Sequence, residues 1–210
     1  MIIFDNFSFA DVMVITLLLC FGLNSCSSSK NYYTIPAFAP DNTVHAVIEI
    51  PAGTNKKLEY NAASNSFVID QHQNQDRVIA FLPYPGNYGF IPSTLSDPVK
   101  GGDGDALDIL VIAEALETGT VLKTIPIALL RLIDDGEEDY KILAIPAREE
   151  SRIVHALSYL ELTTNYPGLV DIMETWFLNY NPEDPSTIEG WGNETEAIEE
   201  IKKHLRTKQN

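Results

Sequence analysis

Asp103-Gly104-Asp105-Ala106-Leu107-Asp108 leads directly into an apolar run that continues to Ala113. Three carboxylates this close repel one another unless cations lie between them. Because Asp108 belongs to a run that predicts a buried strand from Leu107 to Ala113, a solvated acidic turn fits the pattern poorly. An EF-hand loop is excluded, since Leu107 and Asp108 stand where a ligand and a glycine belong. Hard oxygen ligands select Mg²⁺, Mn²⁺ or Ca²⁺, so the motif predicts a divalent-cation site.

A second acidic cluster runs from Asp134 to Asp139 between two apolar segments, 125–133 and 140–145. This order predicts a β-hairpin with an acidic tip. Asp139 and Lys141 are two apart on the second strand and therefore share a face, with Asp134 across the turn. Carboxylates and a cation on one face suit a site for a metal ion and an anionic ligand. The alternative is a solvent-exposed hairpin tip, where runs of acidic residues more commonly lie.

An aromatic segment, Phe81 to Pro92, holds three prolines and two glycines. This composition excludes a regular helix and predicts a fixed, aromatic-rich loop. Its tyrosines, Tyr84 and Tyr88, suit either packing in a barrel or hydroxyl groups aimed at a charged oxygen.

The rest of the chain places short strands first and helices last. Val44 to Ile50 alternates as a strand does, and Leu58 to Tyr60 and Ser66 to Asp70 predict two more. Pro167 begins a predicted helix, and Asn193 with Glu196 forms a capping pair ahead of another. The order predicts a small β-barrel with helices packed outside it.

The composition limits the possible partners. The chain has 210 residues, 45% of them hydrophobic, with Lys+Arg 14 against Asp+Glu 30 and a net charge of -16. The hydrophobic content excludes wholesale disorder. Because phosphate backbones would be repelled, nucleic acid is excluded as a partner. A phosphate compound would have to arrive with metal ions.

The N-terminus resembles a bacterial lipoprotein signal. Val12 to Leu23 has the length of a signal-peptide apolar region, and Cys26 follows as in a lipobox. Both cysteines lie in this segment, so the remainder has no disulfide or cysteine zinc site. We expect a signal at 1–25, a tether at 26–42 and a domain at 43–210. A stray apolar tail is the alternative, since Asp5 and Asp11 replace the usual basic residues.

Five elements in this order resemble the soluble family I inorganic pyrophosphatases, over about three quarters of the chain. They are Glu49-Ile50-Pro51, Lys57-Leu58-Glu59, Arg77 (with a one-residue gap), Tyr84 to Pro92, and Asp103 to Asp108. The resemblance implies an α+β fold, with an OB-like closed β-barrel and two or three external helices. It also implies Mg²⁺-dependent hydrolysis of inorganic diphosphate to two phosphates, with Mn²⁺ as a possible substitute, and a homo-oligomer, commonly a hexamer in bacteria.

The resemblance also implies residue roles. Asp105 would accept the proton of the attacking water, while Glu59 and Tyr84 would line the pocket. The magnesium ligands would be Asp103, Asp108, Asp134 and Asp139, with Glu49 helping through water. The phosphate-binding residues would be Lys57, Arg77, Tyr88, Lys141 and Tyr180.

Three positions depart from the family pattern. Ala106 replaces a usual Pro or Glu, Asp135 a frequent glutamate, and Asn181 a phosphate-binding lysine. Fewer cations weaken the stabilisation of phosphoryl oxygens, so an impaired diphosphate-binding or metal-binding envelope protein is the alternative to an enzyme. A structural cation-binding protein is a third. Retention of Asp105 favours the enzyme, since a binder needs no base. Lipidation of Cys26 predicts the bacterial cell envelope, against the cytoplasm that is typical of the family.

Overall fold

The computed structural model describes residues 31–100, 102, 104–183 and 185–206. The predicted signal segment, Cys26 and the predicted metal ligand Asp103 lie outside these residues. Asn31–Asn210 form one compact unit. In the described part of the chain, no helix has the length and apolar character needed to span a membrane.

The described residues contain eleven strands and three α-helices. The strands are β1 (Val44–Ile50), β2 (Leu58–Asn61), β3 (Ser66–Ile69), β4 (Gln71–His72), β5 (Gln75–Asp76), β6 (Asn87–Phe90), β7 (Asp108–Val111), β8 (Val121–Asp134), β9 (Glu137–Glu138), β10 (Lys141–Pro146) and β11 (Thr187–Asn193). The helices are α1 (Tyr159–Asn165), α2 (Pro167–Phe177) and α3 (Glu194–Lys203).

Five of these strands close into a ring. Strand β1 pairs with both β6 and β8, and the circuit continues from β6 through β7 and β10 back to β8. All of these pairs are antiparallel except β7 with β10. The prediction of a closed β-structure with external helices is therefore confirmed.

Alternate residues of the ring strands pack into two hydrophobic clusters. Leu110 joins the cluster that contains Trp176 of α2, whereas its neighbour Ile109 joins the one that contains Ile201 of α3. Each fully buried side chain of this kind contributes roughly 1.5–3 kcal/mol. Because both faces of β7 are covered, Asp108 at its start is fixed in position.

Two longer strands, β6 and β11, lie where the sequence did not predict them, and so do the two-residue strands β4, β5 and β9. Asn87–Phe90 of the predicted loop forms β6, because Gly89 lets this strand approach β1 closely. A Cβ atom at Gly89 would lie 1.9 Å from the carbonyl oxygen of Val47. Strand β11 contains Gly190 and Gly192, and residue propensities do not predict it because glycine is rare in strands. It pairs with the C-terminal end of β8.

Residues 31–42, the described part of the predicted tether, pack against the domain. Ala37 and Ala39 are buried. The carbonyl of Ala37 accepts the His45 N–H at 2.8 Å, and that of Ile35 accepts the Ser93 hydroxyl at 2.8 Å. The segment begins with a short 3₁₀-helix, Tyr32–Thr34, and belongs to the compact unit that starts at Asn31.

Candidate active site

A cleft of about 320 Å³ lies beside the ring and gathers the predicted site. All twelve predicted site residues that the structure describes line this cleft. They are Glu49, Lys57, Glu59, Arg77, Tyr84, Tyr88, Asp105, Asp108, Asp134, Asp139, Lys141 and Tyr180. Residues from six strands and several loops thus meet in one place, although their individual roles remain predictions.

The centre of the cleft is a buried ammonium group between two carboxylates. Lys141 of β10 stands beside Asp108 of the parallel strand β7, and its Nζ atom is ion-paired with both Asp108 and Asp139. Burial opposes the charge on Lys141, but the two carboxylates outweigh it and raise its pKa. The Tyr88 hydroxyl donates to Asp108 at 2.5 Å. Lys141 therefore stays charged throughout the working pH range of a protein.

The negative charge of Asp139 is incompletely compensated although its carboxylate pairs with Lys141. Burial raises its pKa, the charge of Lys141 opposes the increase, and Asp108 adds to it. One ammonium group thus neutralises only part of the negative charge here.

Asp134, at the end of β8, is held by two hydroxyl groups. Tyr180 donates to one of its oxygens at 3.1 Å and Ser186 to the other at 2.8 Å. Tyr180 follows α2 and stacks on Trp176, with ring centroids 5.1 Å apart and planes inclined by 12°. Burial, with the charge of Asp134, raises the pKa of Tyr180 to about 12, so its hydroxyl remains a neutral donor. Sequence reasoning missed Ser186, because an isolated serine in a loop carries no signal.

Glu49 projects from β1 and is buried. Its Oε1 atom accepts the backbone N–H of Tyr60 at 2.6 Å. Burial raises the pKa of Glu49 to about 8; the Tyr60 N–H opposes this increase and the charge of Asp108 adds to it. A cation near this carboxyl would lower that pKa and favour the ionised form.

Lys57 and Arg77 are brought together by a residue that sequence reasoning missed, Asp70. Its N–H donates to the Lys57 carbonyl, and its own carbonyl accepts the Arg77 N–H, both at 2.8 Å. Its carboxylate lies 3.2 Å from Arg77 Nη1 and 3.8 Å from Lys57 Nζ. Glu59 pairs with Lys57 at 2.9 Å. Asp70 therefore orients both cations toward one side of the cleft.

The donor set of the cleft fits hard divalent cations. Within the described ranges, no three acidic, histidine or cysteine side chains form a preassembled metal site, and Lys141 occupies the space between Asp108 and Asp139. The lining residues nevertheless offer oxygen donors and neither histidine nor cysteine. The raised pKa values of Glu49 and Asp139 show that their negative charges are incompletely compensated. Oxygen donors with uncompensated charge suit Mg²⁺ or Mn²⁺.

Comparison with known proteins agrees with this geometry. The family model described as inorganic pyrophosphatase matches residues 46–209. The chain belongs to the inorganic pyrophosphatase family.

Curated pyrophosphatases and solved structures extend this match. Inorganic pyrophosphatase 1 of Pseudomonas syringae pv. tomato is 36% identical over 185 residues, covering 83% of this chain and 97% of the relative. The inorganic pyrophosphatase of Saccharolobus solfataricus is 34% identical over 176 residues, covering 81% and 94%. The crystal structure of the Thermus thermophilus pyrophosphatase superposes with a TM-score of 0.71 at 28% identity, covering 84% of this chain and 97% of that one.

The positions that depart from the pyrophosphatase pattern differ in their relation to the cleft. Ala106 is buried and lines it, and so does Asp135 at the acidic tip. Asn181 is not among the lining residues. The cationic side chains of the described lining are therefore Lys57, Arg77 and Lys141.

Proposed function

We propose that this cleft carries out the reaction of its family, hydrolysis of inorganic diphosphate to two phosphates, with divalent cations as obligatory partners. The charge of the described lining carries the proposal: eight carboxyl groups face three cationic side chains. Diphosphate is itself multiply negative, so it would be repelled from such a cleft without cations. The carboxyl groups are those of Glu49, Glu59, Asp105, Asp108, Asp134, Asp135, Glu137 and Asp139.

The metal ions are assigned to the carboxylates at the ends of the ring strands. Asp103, Asp108, Asp134 and Asp139 would hold Mg²⁺, with Glu49 contributing through water. When bound, Mg²⁺ neutralises phosphate charge and lowers the pKa of a water to near neutrality. Lys141 pairs with Asp108 and Asp139, and it would turn from these carboxylates toward a phosphate oxygen when the metal ions take its place.

The remaining residues act on the proton and on the phosphates. Asp105 would take the proton of the attacking water on its carboxylate, as a general base. Lys57 and Arg77 would neutralise the phosphoryl oxygens, whose charge is redistributed as the bond breaks. Tyr88, whose pKa is raised well above its usual value by burial and then by Asp108, would donate a neutral hydroxyl.

The first prediction concerns metal removal. The purified full-length chain is expected to release phosphate from diphosphate with Mg²⁺ and, more slowly, with Mn²⁺. EDTA should remove the activity, and excess Mg²⁺ should restore it. A colorimetric phosphate assay measures each condition. Release that persists in EDTA would contradict the proposal, as would metal-dependent binding of diphosphate without any release.

The second prediction concerns location. We propose that Cys26 is lipidated, which would anchor the enzyme in the bacterial cell envelope as a homo-oligomer, by resemblance a hexamer; the cytoplasm is the alternative. Cells fed a fatty-acid probe should label the wild-type chain but not Cys26→Ala, with Cys20→Ala as the matched control. Equal labelling of all three proteins, or of none, would contradict lipidation at Cys26.

A further inference from the structure

Tyr33 lines the cleft although it precedes the part of the chain that the family model matches, residues 46–209. Its backbone is fixed, because its carbonyl accepts the N–H of Ser93 at 3.2 Å, while the hydroxyl of the same serine donates to the nearby Ile35 carbonyl at 2.8 Å. The guanidinium carbon of Arg206 lies 5.2 Å from the centre of its ring. Segments from both ends of the described chain thus hold this side chain against the site.

The Tyr33 ring packs against two residues that support predicted metal-site carboxylates. It lies 5.1 Å from the ring of Tyr60, whose backbone N–H donates to Glu49 at 2.6 Å. It also lies 4.9 Å from the ring of Phe90. The backbone of Phe90 in β6 lies opposite that of Asp108 in β7. The Tyr33 hydroxyl approaches the Tyr60 carbonyl at 3.5 Å, a long contact that contributes little.

The electrostatic surroundings of Tyr33 agree with this position. Burial raises its pKa to about 12, and the charges of Glu49 and then Asp105 add to the increase. The side chain is therefore neutral at working pH and lies within electrostatic reach of both carboxyl groups.

We propose that Tyr33 is a positioning residue: its ring holds Tyr60 and Phe90 so that Glu49 and Asp108 keep the orientation that the site requires. The inference depends on the proposed function and adds to it a residue from outside the matched family region. The ring performs this work, not the hydroxyl. Loss of an orienting neighbour typically lowers metal affinity or activity by about 10–100-fold.

Tyr32 provides a matched control. Its ring lies 5.1 Å from Tyr60 and 5.2 Å from Phe67, in the same aromatic cluster as Tyr33. It does not line the cleft. A substitution at Tyr32 therefore removes packing on Tyr60 but leaves in place the Tyr33 ring, its contact with Phe90 and its part of the cleft wall.

The experiment compares Tyr33→Ala, Tyr33→Phe and Tyr32→Ala in the full-length chain. Tyr33→Ala should lower kcat by about tenfold, with a smaller effect on KM, and should weaken Mn²⁺ binding in calorimetry by a similar factor. Tyr33→Phe should remain within about threefold of wild type in both measurements, because the ring persists. Tyr32→Ala should lose thermal stability as Tyr33→Ala does, but it should keep kcat and Mn²⁺ affinity closer to wild type, because the Tyr33 ring still contacts both Tyr60 and Phe90.

Two results would overturn the inference. Equal losses of kcat in Tyr33→Ala and Tyr32→Ala would make Tyr33 only a packing residue, and unchanged Mn²⁺ affinity in Tyr33→Ala would remove its link to the metal-site carboxylates. An inactive wild-type chain would instead contradict the proposed function. In that case, Mn²⁺ binding alone would still decide between positioning and packing.

Discussion

Asp105→Asn is expected to lower kcat by about 10²–10⁴-fold while leaving the protein folded. The amide has almost the shape of the carboxylate but cannot accept a proton. The backbone of Asp105 also supports the local loop, since its carbonyl accepts the Ser96 N–H at 2.7 Å, and this bond survives the substitution. Single-turnover phosphate release measures the chemical step, and thermal unfolding checks the fold.

The matched control for this variant is Asp76→Asn. Asp76 is exposed in β5, is absent from the cleft lining and accepts a hydrogen bond from Gln71 at 2.5 Å. It should keep wild-type kcat. If Asp105→Asn retained more than a tenth of the wild-type kcat, the proton would have to be accepted elsewhere, and the role assigned to Asp105 would be wrong.

Lys141→Met is expected to destabilise the metal-free protein by as much as about 3–5 kcal/mol, because it leaves two largely buried carboxylates without their shared ammonium group. The side chain of Lys141 is only 6% exposed, and those of Asp108 and Asp139 are 21% and 17% exposed. Mg²⁺ should recover much of this loss, since a divalent cation compensates the same charges. Urea unfolding with EDTA and with Mg²⁺ gives the two free energies, and phosphate release should also fall strongly.

The comparison variant is Lys123→Met. Lys123 pairs with Asp41 at 2.8 Å, but both side chains are about half exposed, at 47% and 54%. Exposed pairs of this kind contribute about 0–1 kcal/mol. Equal losses in the two variants would contradict the central place of Lys141, and so would a loss at Lys141 that Mg²⁺ leaves unchanged.

The sequence predicted those elements whose signals are local. Strand β1 has the predicted bounds because apolar residues alternate along it, and Asn193 caps α3 as predicted, accepting the N–H groups of Thr195 and Glu196 at 2.9 and 3.1 Å. The sequence did not predict strand β6. Gly89 is needed there because strand β1 lies very close, and a local sequence pattern does not show how close two distant strands will lie. Pairing with the distant strands β1 and β7 therefore determines that this segment is a strand, which the local residue propensities do not predict.

In the candidate site, too, the residues with local sequence signals were predicted and those that depend on long-range contacts were not. The aspartate motif and the tyrosines carry chemistry in their own spacing, and the structure brings Asp105, Asp108, Tyr84 and Tyr88 to one cleft. Asp70, Ser186 and Tyr33 act on the site through neighbours distant in sequence, so no motif marks them. The charge balance of the cleft also depends on which side chains face it, and this requires the fold.

The β4–β5 hairpin gives the enzyme a place where chain length can vary. The backbone leaves at Asp70 and returns at Arg77, and these two residues are hydrogen-bonded to each other at 2.8 Å. The six intervening residues form a hairpin whose two ends are joined by this hydrogen bond. A one-residue difference in the length of this hairpin would account for the gap that Arg77 needs in the sequence pattern, while Arg77 still reaches the cleft. We expect residues inserted at its exposed tip to leave the Arg77 guanidinium group in place, because the Asp70–Arg77 hydrogen bond closes the base of the hairpin.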